Sequence, residues 1–317
     1  MRVLLFGTGA VGIALAVALR ESGQEVDLIA RAETKKAITE KGIGLRGLFG
    51  EKTIAPESFK VYAKIEEIGE QDLYDYILVA SKATALREAA EDLASARGIL
   101  KKDGKIVLFQ NGMGTEESFL EYFSPDTVFQ ARIITGFSRP EPNISLVTVH
   151  VSPILIGNLK GYSAEPLQEL AAAINKGGVP CEITGDLASA LWAKMLYNCA
   201  LNPLGAILGV SYGKLTENEY SLGIMNRVIE EIYEVMKASG QSTYWPDAES
   251  YKKVLYEELI PPTYNHRSST LQDIEKKTKT EIDTLNGYIV RTGRRLGVDV
   301  SYNEMLYSLI RSMESYH

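Results

Sequence analysis

Lys194, Asn198 and Asn202 recur at every fourth residue of one segment. On a helix this spacing places an ammonium and two amides in a single stripe. An ammonium in such a stripe can stabilise negative charge on a bound oxygen and can donate a proton to it. The alternative is a solvated helix face, but such faces are normally richer in Glu and Lys than in Asn. The other faces of this segment are apolar, with Leu191, Trp192, Met195, Leu196 and Cys199.

A second chemical pattern lies at the N-terminus, where a short apolar run leads into a G-x-G-x-x-G turn. In this context the first glycine permits a tight turn, the second lets a pyrophosphate approach the backbone, and the third allows close helix packing. The N–H groups that open the following helix then face the phosphates. The alternative is a glycine turn in an ordinary α/β protein. The turn consists of Gly7, Thr8, Gly9, Ala10, Val11 and Gly12.

Arg31 follows the second predicted strand, which spans residues 26–30. NAD-dependent enzymes usually place Asp or Glu at this position, whereas an Arg accommodates the 2′-phosphate of NADP. Asp27 lies too early, inside the strand. The pattern therefore favours NADP(H), against the alternative of a solvated surface arginine.

Two further polar residues follow predicted strands. Lys82 comes just after the apolar run 76–80, and Asn111 comes just after the strand predicted at 105–109. Ligands of doubly wound sheets bind outside the carboxyl ends of the strands, so both side chains are candidates for contact with a ligand. A surface lysine and a common Asn-Gly turn are the alternatives.

The order of the predicted elements sets the architecture. Strands and helices alternate up to about Thr184, and helical periodicity continues from there to the C-terminus. The sequence thus predicts an α/β N-terminal Rossmann-type doubly wound sheet in residues 1–184 and an all-α C-terminal domain in residues 185–317. The predicted C-terminal helices span 186–208, 215–239, 247–258, 268–297 with a break, and 302–314.

Composition excludes several classes of protein. The chain has 317 residues, of which 45% are hydrophobic, and this suits two domains. A net charge of −7 argues against nucleic acid as the main partner. No signal segment or membrane-length apolar run is present, so we expect a cytoplasmic protein. Cys181 and Cys199 are expected to be core thiols. His150, His266 and His317 lack ligand spacing, so no metal site is expected.

Several motifs recur in order along nearly the full length of the chain. They are GTGAVG at 7–12, Arg31, Lys82 at a strand end, NGMG at 111–114, LWAKMLYNCALNPL at 191–204, SSTLQDI at 268–274 and TEIDTLNG at 280–287. In these motifs the chain resembles the ketopantoate reductase (2-dehydropantoate 2-reductase) family. The resemblance implies NADPH-dependent reduction of a 2-oxo acid in pantothenate and coenzyme A biosynthesis, in a cleft between the two domains.

The resemblance also implies roles for individual residues. Lys194 is the general acid, Asn198 and Asn202 hold the oxygens of the substrate, and Ser269 binds its carboxylate. Asn111 touches both cofactor and substrate. Lys82 and Glu281 complete the cofactor side, and Glu281 is a candidate for orienting Lys194.

Two details qualify this assignment. Ser269 and Glu281 are twelve residues apart, or about 18 Å on a straight helix. Either the helix breaks between them or Glu281 serves the cofactor side. Tyr212 stands where family members often carry Asn, so a related and bulkier 2-oxo acid is an alternative substrate.

Other functions stay open at this stage. A dehydrogenase of a β-hydroxy acid or a phosphorylated polyol would share the architecture. A non-catalytic NADP(H)-sensing protein would also fit the N-terminal pattern, but it would not need the Lys194 stripe. We expect a monomer or a homodimer.

Overall fold

The computed structural model describes residues 1–69 and 73–316. His317, one of the three histidines considered above, lies outside the described residues. The chain forms two compact units, Met1–Gln110 with Thr115–Leu187 and Asn111–Gly114 with Ala188–His317. The segment Asn111–Gly114 therefore groups with the helical unit, although its position in the sequence suggests the α/β part.

The first unit contains two sheets. Its strands are β1 (Arg2–Phe6), β2 (Glu25–Ile29), β3 (Ile43–Gly47), β4 (Lys52–Ile54), β5 (Lys60–Tyr62), β6 (Tyr74–Val79), β7 (Leu100–Leu108), β8 (Val128–Arg132), β9 (Thr135–Glu141), β10 (Ile144–His150), β11 (Ile154–Gly157) and β12 (Cys181–Ile183). The larger sheet has the order β12-β11-β8-β7-β6-β1-β2-β5. Its strands from β8 to β5 are parallel, while β11 runs antiparallel to β8. Because β2 and β6 flank β1, the strand order reverses at β1, which is where such sheets bind ligands.

Helices cover both faces of this sheet. They are α1 (Ala10–Glu21), α2 (Ala32–Lys41), α3 (Leu86–Ser95), α4 (Glu117–Leu120) and α5 (Gln168–Lys176). Val3 and Leu5 of β1 belong to the core that contains α1 and α5, whereas Leu4 belongs to the core that contains α3. Side chains alternate between the two faces of a strand, so a continuous apolar run fills both cores.

The smaller sheet has the order β4-β3-β10-β9. Strand β10 pairs in parallel with β3 and antiparallel with β9. Helix α1 packs against β3 and β10, so this sheet is fixed beside the glycine turn that precedes α1.

The second unit is helical. Its helices are α6 (Leu187–Leu208), α7 (Tyr212–Thr216), α8 (Glu219–Ala238), α9 (Ala248–Val254), α10 (Ser269–Glu275), α11 (Asn286–Leu296) and α12 (Ser301–Ser315). The sequence predicts one helix over 215–239, and the structure confirms it from Glu219 to Ala238 but not over residues 215–218. Asn218 starts a new helix there, since its side-chain oxygen accepts hydrogen bonds from the backbone N–H groups of Tyr220 and Ser221.

A buried carboxylate joins two of these helices. Glu231 of α8 is 5% exposed and accepts backbone hydrogen bonds from Tyr302 at 2.8 Å and Asn303 at 2.9 Å. These N–H groups have no partner within α12 because they belong to its first turn. Glu231 therefore caps α12 from a neighbouring helix.

The expected combination of a Rossmann-type sheet with an all-helical part is confirmed.

Candidate active site

Helix α6 carries the predicted polar stripe. Lys194 and Asn198 are half-buried, and Asn202 is 4% exposed. Trp192 and Leu196 on other faces of the helix are fully buried. The helix is thus packed on its apolar faces and presents three polar groups along one side.

Asn111 connects Lys194 to Glu281. The ammonium of Lys194 donates a hydrogen bond to Oδ1 of Asn111. The amide nitrogen of Asn111 donates in turn to Oε2 of Glu281 at 2.9 Å. One amide therefore uses its acceptor on the ammonium and its donor on the carboxylate, which leaves its orientation no freedom. Asn111 lies 83 positions before Lys194 and 170 positions before Glu281 in sequence, and the fold brings the three together.

The backbone of the Asn111–Gly114 segment is fixed by Thr284. The Thr284 hydroxyl donates to the carbonyl of Asn111 at 2.9 Å, and the N–H of Met113 donates to the carbonyl of Thr284 at 2.9 Å. Gly112 has φ +94°, and a Cβ there would lie 2.2 Å from the Thr284 carbonyl oxygen. Only glycine fits both constraints. These contacts explain why the segment belongs to the helical unit.

Ser269 and Glu281 do not share a helix. Helix α10 ends at Glu275 and α11 begins at Asn286, so Glu281 lies in the connection between them. Lys277 has φ +53°, a left-handed conformation that breaks the helix. The sequence-based alternative of a break is confirmed. Ser269 is exposed at the first residue of α10, and its neighbour Ser268 caps that helix through the N–H of Leu271.

Tyr212 holds the side chain of Asn202. Its buried hydroxyl donates a hydrogen bond to Oδ1 of Asn202 at 2.6 Å. Burial raises the pKa of the Tyr212 phenol above its ordinary value, so the hydroxyl stays protonated and keeps donating. The ring of Tyr197 meets that of Tyr212 edge-on at 5.5 Å, and the ring of His266 lies 5.0 Å away. The amide of Asn202 is thereby oriented by a rigid aromatic neighbour.

A proline inside α6 is compensated from another helix. Pro203 has no N–H, so the carbonyl of Cys199, four residues earlier, lacks its usual helical donor. The side-chain nitrogen of Asn286 donates to this carbonyl at 3.1 Å and to Oδ1 of Asn303 at 3.0 Å. Cys199 lies between Asn198 and Asn202, so Asn286 holds the part of α6 that spaces the two amides.

The glycine turn of the first unit has the expected form. Gly7 has φ +105°, and a Cβ on Gly12 would lie 2.1 Å from the Gly7 carbonyl oxygen. A Cβ on Gly9 would meet only the Ala80 carbonyl oxygen, at an ordinary 3.7 Å. Packing therefore requires glycine at 7 and 12. At Gly9 it leaves room above the backbone, as the approach of a pyrophosphate needs. Thr8, Ala10 and Val11 complete the turn.

The other predicted cofactor residues lie on the same unit. Arg31 is exposed and immediately precedes α2. Lys82 is exposed and follows Ser81, whose backbone N would lie 2.6 Å from a Cβ on Gly7. Gln110 ties the ends of β6 and β7 together, since its amide nitrogen donates to the carbonyls of Val79 and Ser81.

Sequence reasoning missed Arg139. It lies on β9, and its guanidinium reaches the carbonyl of Thr8 and the hydroxyl of Thr34, both at 3.4 Å. Only the pairing of distant strands brings this side chain to the glycine turn, so no local pattern marks it.

Two features are absent from the described residues, a cluster of metal ligands and a membrane-spanning helix. None of their His, Cys, Asp and Glu side chains form a group of three or more suited to a metal ion. Within residues 1–69 and 73–316, no helix has both the length and the apolar character that crossing a membrane requires.

Comparison with known proteins places the whole chain. Residues 3–161 match the family profile "Ketopantoate reductase PanE/ApbA", and residues 186–314 match its C-terminal profile. The chain is 35% identical to the 2-dehydropantoate 2-reductase of Aquifex aeolicus, with 100% of this chain and 98% of that protein covered.

Solved structures agree with this placement. A PanE/ApbA family ketopantoate reductase from Ralstonia eutropha JMP134 is 28% identical, with a TM-score of 0.85 and coverage of 100% of this chain and 99% of that one. A D-mandelate dehydrogenase solved with NADH and anilino(oxo)acetate shares the fold, at 23% identity and a TM-score of 0.87 over 100% of this chain and 99% of that one. The resemblance found in the sequence is confirmed, and the chain belongs to the ketopantoate reductase family.

Proposed function

We propose that this enzyme reduces 2-dehydropantoate to pantoate with NADPH, and so acts in pantothenate and coenzyme A biosynthesis. The observation that carries the proposal is the hydrogen-bonded line of Lys194, Asn111 and Glu281 beside the two amides of α6. Residues 1–184 bind the cofactor in this proposal, and residues 185–317 bind the substrate and carry the general acid.

The glycine turn suits the pyrophosphate of the cofactor. The open space at Gly9 and the start of α1 provide the close backbone approach and the N–H groups that a phosphate needs. Bound NADPH supplies a hydride to the C2 carbonyl carbon of the 2-oxo acid. The protein contributes position and electrostatic field around that event.

Lys194 stabilises and protonates the substrate oxygen. Negative charge grows on the C2 oxygen as the carbonyl is reduced, and a fixed ammonium beside it lowers the barrier. An ammonium has three N–H donors, and the bond to Asn111 uses one of them. That bond orients the ammonium of Lys194. The carboxylate of Glu281 in turn holds the amide of Asn111 in place.

The substrate is held by amides and a hydroxyl. Asn198 and Asn202 bind oxygens of the 2-oxo acid, and Ser269 binds its carboxylate. Tyr212 occupies the acceptor oxygen of Asn202, so the amide nitrogen is the group that Asn202 presents to a substrate oxygen. Asn111 contacts both substrate and cofactor, and Lys82 and Glu281 complete the cofactor side.

Arg31 supports a preference for NADP(H) over NAD(H). It lies two residues after the end of β2, where the ribose 2′ substituent is recognised. Its planar guanidinium suits a phosphate, with which it forms paired hydrogen bonds.

The decisive experiment is a turnover assay that follows oxidation of the reduced nicotinamide. 2-Dehydropantoate is tested beside a panel of other 2-oxo acids, with NADPH and with NADH. Fast turnover confined to 2-dehydropantoate and NADPH is the expected result. Preferred turnover of a bulkier 2-oxo acid would overturn the substrate while keeping the chemistry, and it would make Tyr212 the residue to exchange. NADPH binding without turnover of any 2-oxo acid would overturn the enzyme in favour of a sensor.

A further inference from the structure

The guanidinium of Arg139 is held between two segments of the cofactor-binding unit. One of its nitrogens lies 3.4 Å from the carbonyl oxygen of Thr8 and 3.4 Å from the hydroxyl of Thr34. Thr8 lies between the first two glycines of the turn. Thr34 is 4% exposed and belongs to the first turn of α2, just after Arg31. Thr8 follows β1 and Thr34 follows β2, so the exposed Arg139 side chain is placed at the carboxyl ends of two neighbouring strands.

The charge of Arg139 is not balanced by a carboxylate. Both of its contacts are neutral oxygens, and within residues 1–69 and 73–316 neither Arg139 nor Arg31 forms an ion pair. Arg46 of the same small sheet behaves differently, since it pairs with Glu141 at 3.4 Å and with Glu51 at 3.8 Å. The chain carries a net charge of −7, so carboxylates are abundant. Arg139 and Arg31 both lie near the start of α2 without a carboxylate partner among the described residues, and this points to an anionic ligand.

We propose that Arg139 is a second guanidinium that recognises the 2′-phosphate of NADP(H), together with Arg31. The inference rests on the proposed function and deepens it. The anchors favour the 2′-phosphate over the pyrophosphate, because the end of β2 and the start of α2 flank the ribose 2′ position. The pyrophosphate lies instead at the start of α1. A phosphate between two guanidinium groups receives charge-assisted hydrogen bonds from both.

The scaffold suits this role. Arg139 lies on β9, which pairs with β10, and β10 pairs with β3. Because α1 packs against β3 and β10, the strand that carries Arg139 is fixed to the helix that follows the glycine turn. The second guanidinium is therefore positioned by regular structure rather than by a loop.

The test measures the dissociation constants of NADPH and NADH for the full-length protein by titration calorimetry. Arg139→Gln is expected to weaken NADPH about tenfold and to leave NADH within about twofold of the parent. Arg139→Lys keeps the charge but loses the planar fork, so its dissociation constant for NADPH should lie between those of the parent and of Arg139→Gln. Arg46→Gln is the matched control from the same sheet and should bind both cofactors like the parent.

Each other outcome overturns the proposal. A parent that binds both cofactors alike overturns the NADP(H) preference and the role of Arg139 together. If the parent prefers NADPH and Arg139→Gln binds both cofactors as the parent does, the role of Arg139 is overturned but the NADP(H) preference is kept. Equal weakening of NADPH and NADH also overturns it, because the lost contact then lies on the shared part of the cofactor. If Arg139→Gln does not fold, Arg139→Lys decides by the same comparison.

Discussion

Asn286 donates a hydrogen bond to the backbone carbonyl of Cys199 in α6. This carbonyl has no helical donor, because Pro203 stands four residues later and has no N–H. Asn286 is fully buried, so it is part of the core rather than of the surface. Its Ala variant would leave the carbonyl of Cys199 and the side-chain oxygen of Asn303 without this donor. We expect the free energy of unfolding to fall by about 2–4 kcal/mol, from the lost donor and the cavity together.

Denaturant unfolding followed by circular dichroism measures this loss. Asn265→Ala is the control, since Asn265 is exposed, and it should change stability by less than about 0.5 kcal/mol. Equal stability of the two variants would show that another group satisfies the Cys199 carbonyl.

The amide of Asn111 is expected to be needed for the orientation of Lys194. Asn111→Ala removes both the acceptor of the ammonium and the donor to Glu281, so kcat should fall about 10–100-fold. Glu281→Gln keeps an oxygen that can accept from Asn111 but removes the negative charge. A smaller loss in Glu281→Gln than in Glu281→Ala, measured as kcat with saturating substrates, would assign Glu281 a positioning role. Parent-like kcat in Asn111→Ala would contradict the arrangement.

Removing the hydroxyl of Tyr212 should weaken substrate binding more than catalysis. In Tyr212→Phe the ring still fills its place, but the amide of Asn202 is no longer held in one orientation. We expect KM for the 2-oxo acid to rise about three- to tenfold, with kcat within about twofold. Steady-state kinetics and the dissociation constant of NADPH, which should not change, measure this split.

The matched control is Tyr220→Phe, because Tyr220 is 76% exposed. A Tyr212→Phe variant with lower thermal stability but an unchanged KM would show that the hydroxyl only supports the fold.

The two cysteines predict how stability depends on alkaline pH. Burial raises the pKa of the Cys181 thiol from 9.0 to about 12, and burial also raises the pKa of Cys199 above its ordinary value. Above pH 9 the unfolded chain loses thiol protons that the folded chain keeps. The free energy of unfolding should therefore decline as pH rises above 9, by at most about 1.4 kcal/mol per pH unit for each thiol.

Unfolding at several pH values measures the decline, which should be shallower in Cys181→Ala. Both thiols should also resist a disulfide-exchange reagent until the protein is unfolded. Rapid labelling of the folded protein would contradict their burial.

The parts of the fold that local patterns predicted are those where neighbouring residues carry the signal. The turn between Gly7 and Gly12 lies directly between a strand and a helix, and the period of four from Lys194 to Asn202 reports one helix face. The sequence predicts a break within 268–297 but not the residue at which it falls. Its marker is Lys277 in a left-handed conformation, for which the sequence offers no glycine or proline.

The contacts that complete the site lie beyond local patterns. Asn111 meets Glu281 across 170 positions, and Asn286 meets Cys199 across 87. Arg139 reaches Thr8 only because β9 joins a separate small sheet. Such pairings depend on how strands and helices are arranged in space, which one sequence does not specify. The cap at Asn218 is different, since an Asn before a helical run is a known start signal that could have split the predicted helix.

The role of Lys194 as general acid is tested by the kcat of Lys194→Ala with saturating 2-dehydropantoate and NADPH. We expect kcat to fall about 10²–10⁴-fold, since the variant loses the proton donor and the fixed charge beside the substrate oxygen. The dissociation constant of NADPH should stay at the parent value. Lys214→Ala, which removes an exposed lysine paired with Glu217, should keep the parent kcat. If Lys194→Ala turns over at the rate of the parent, Lys194 is not the general acid.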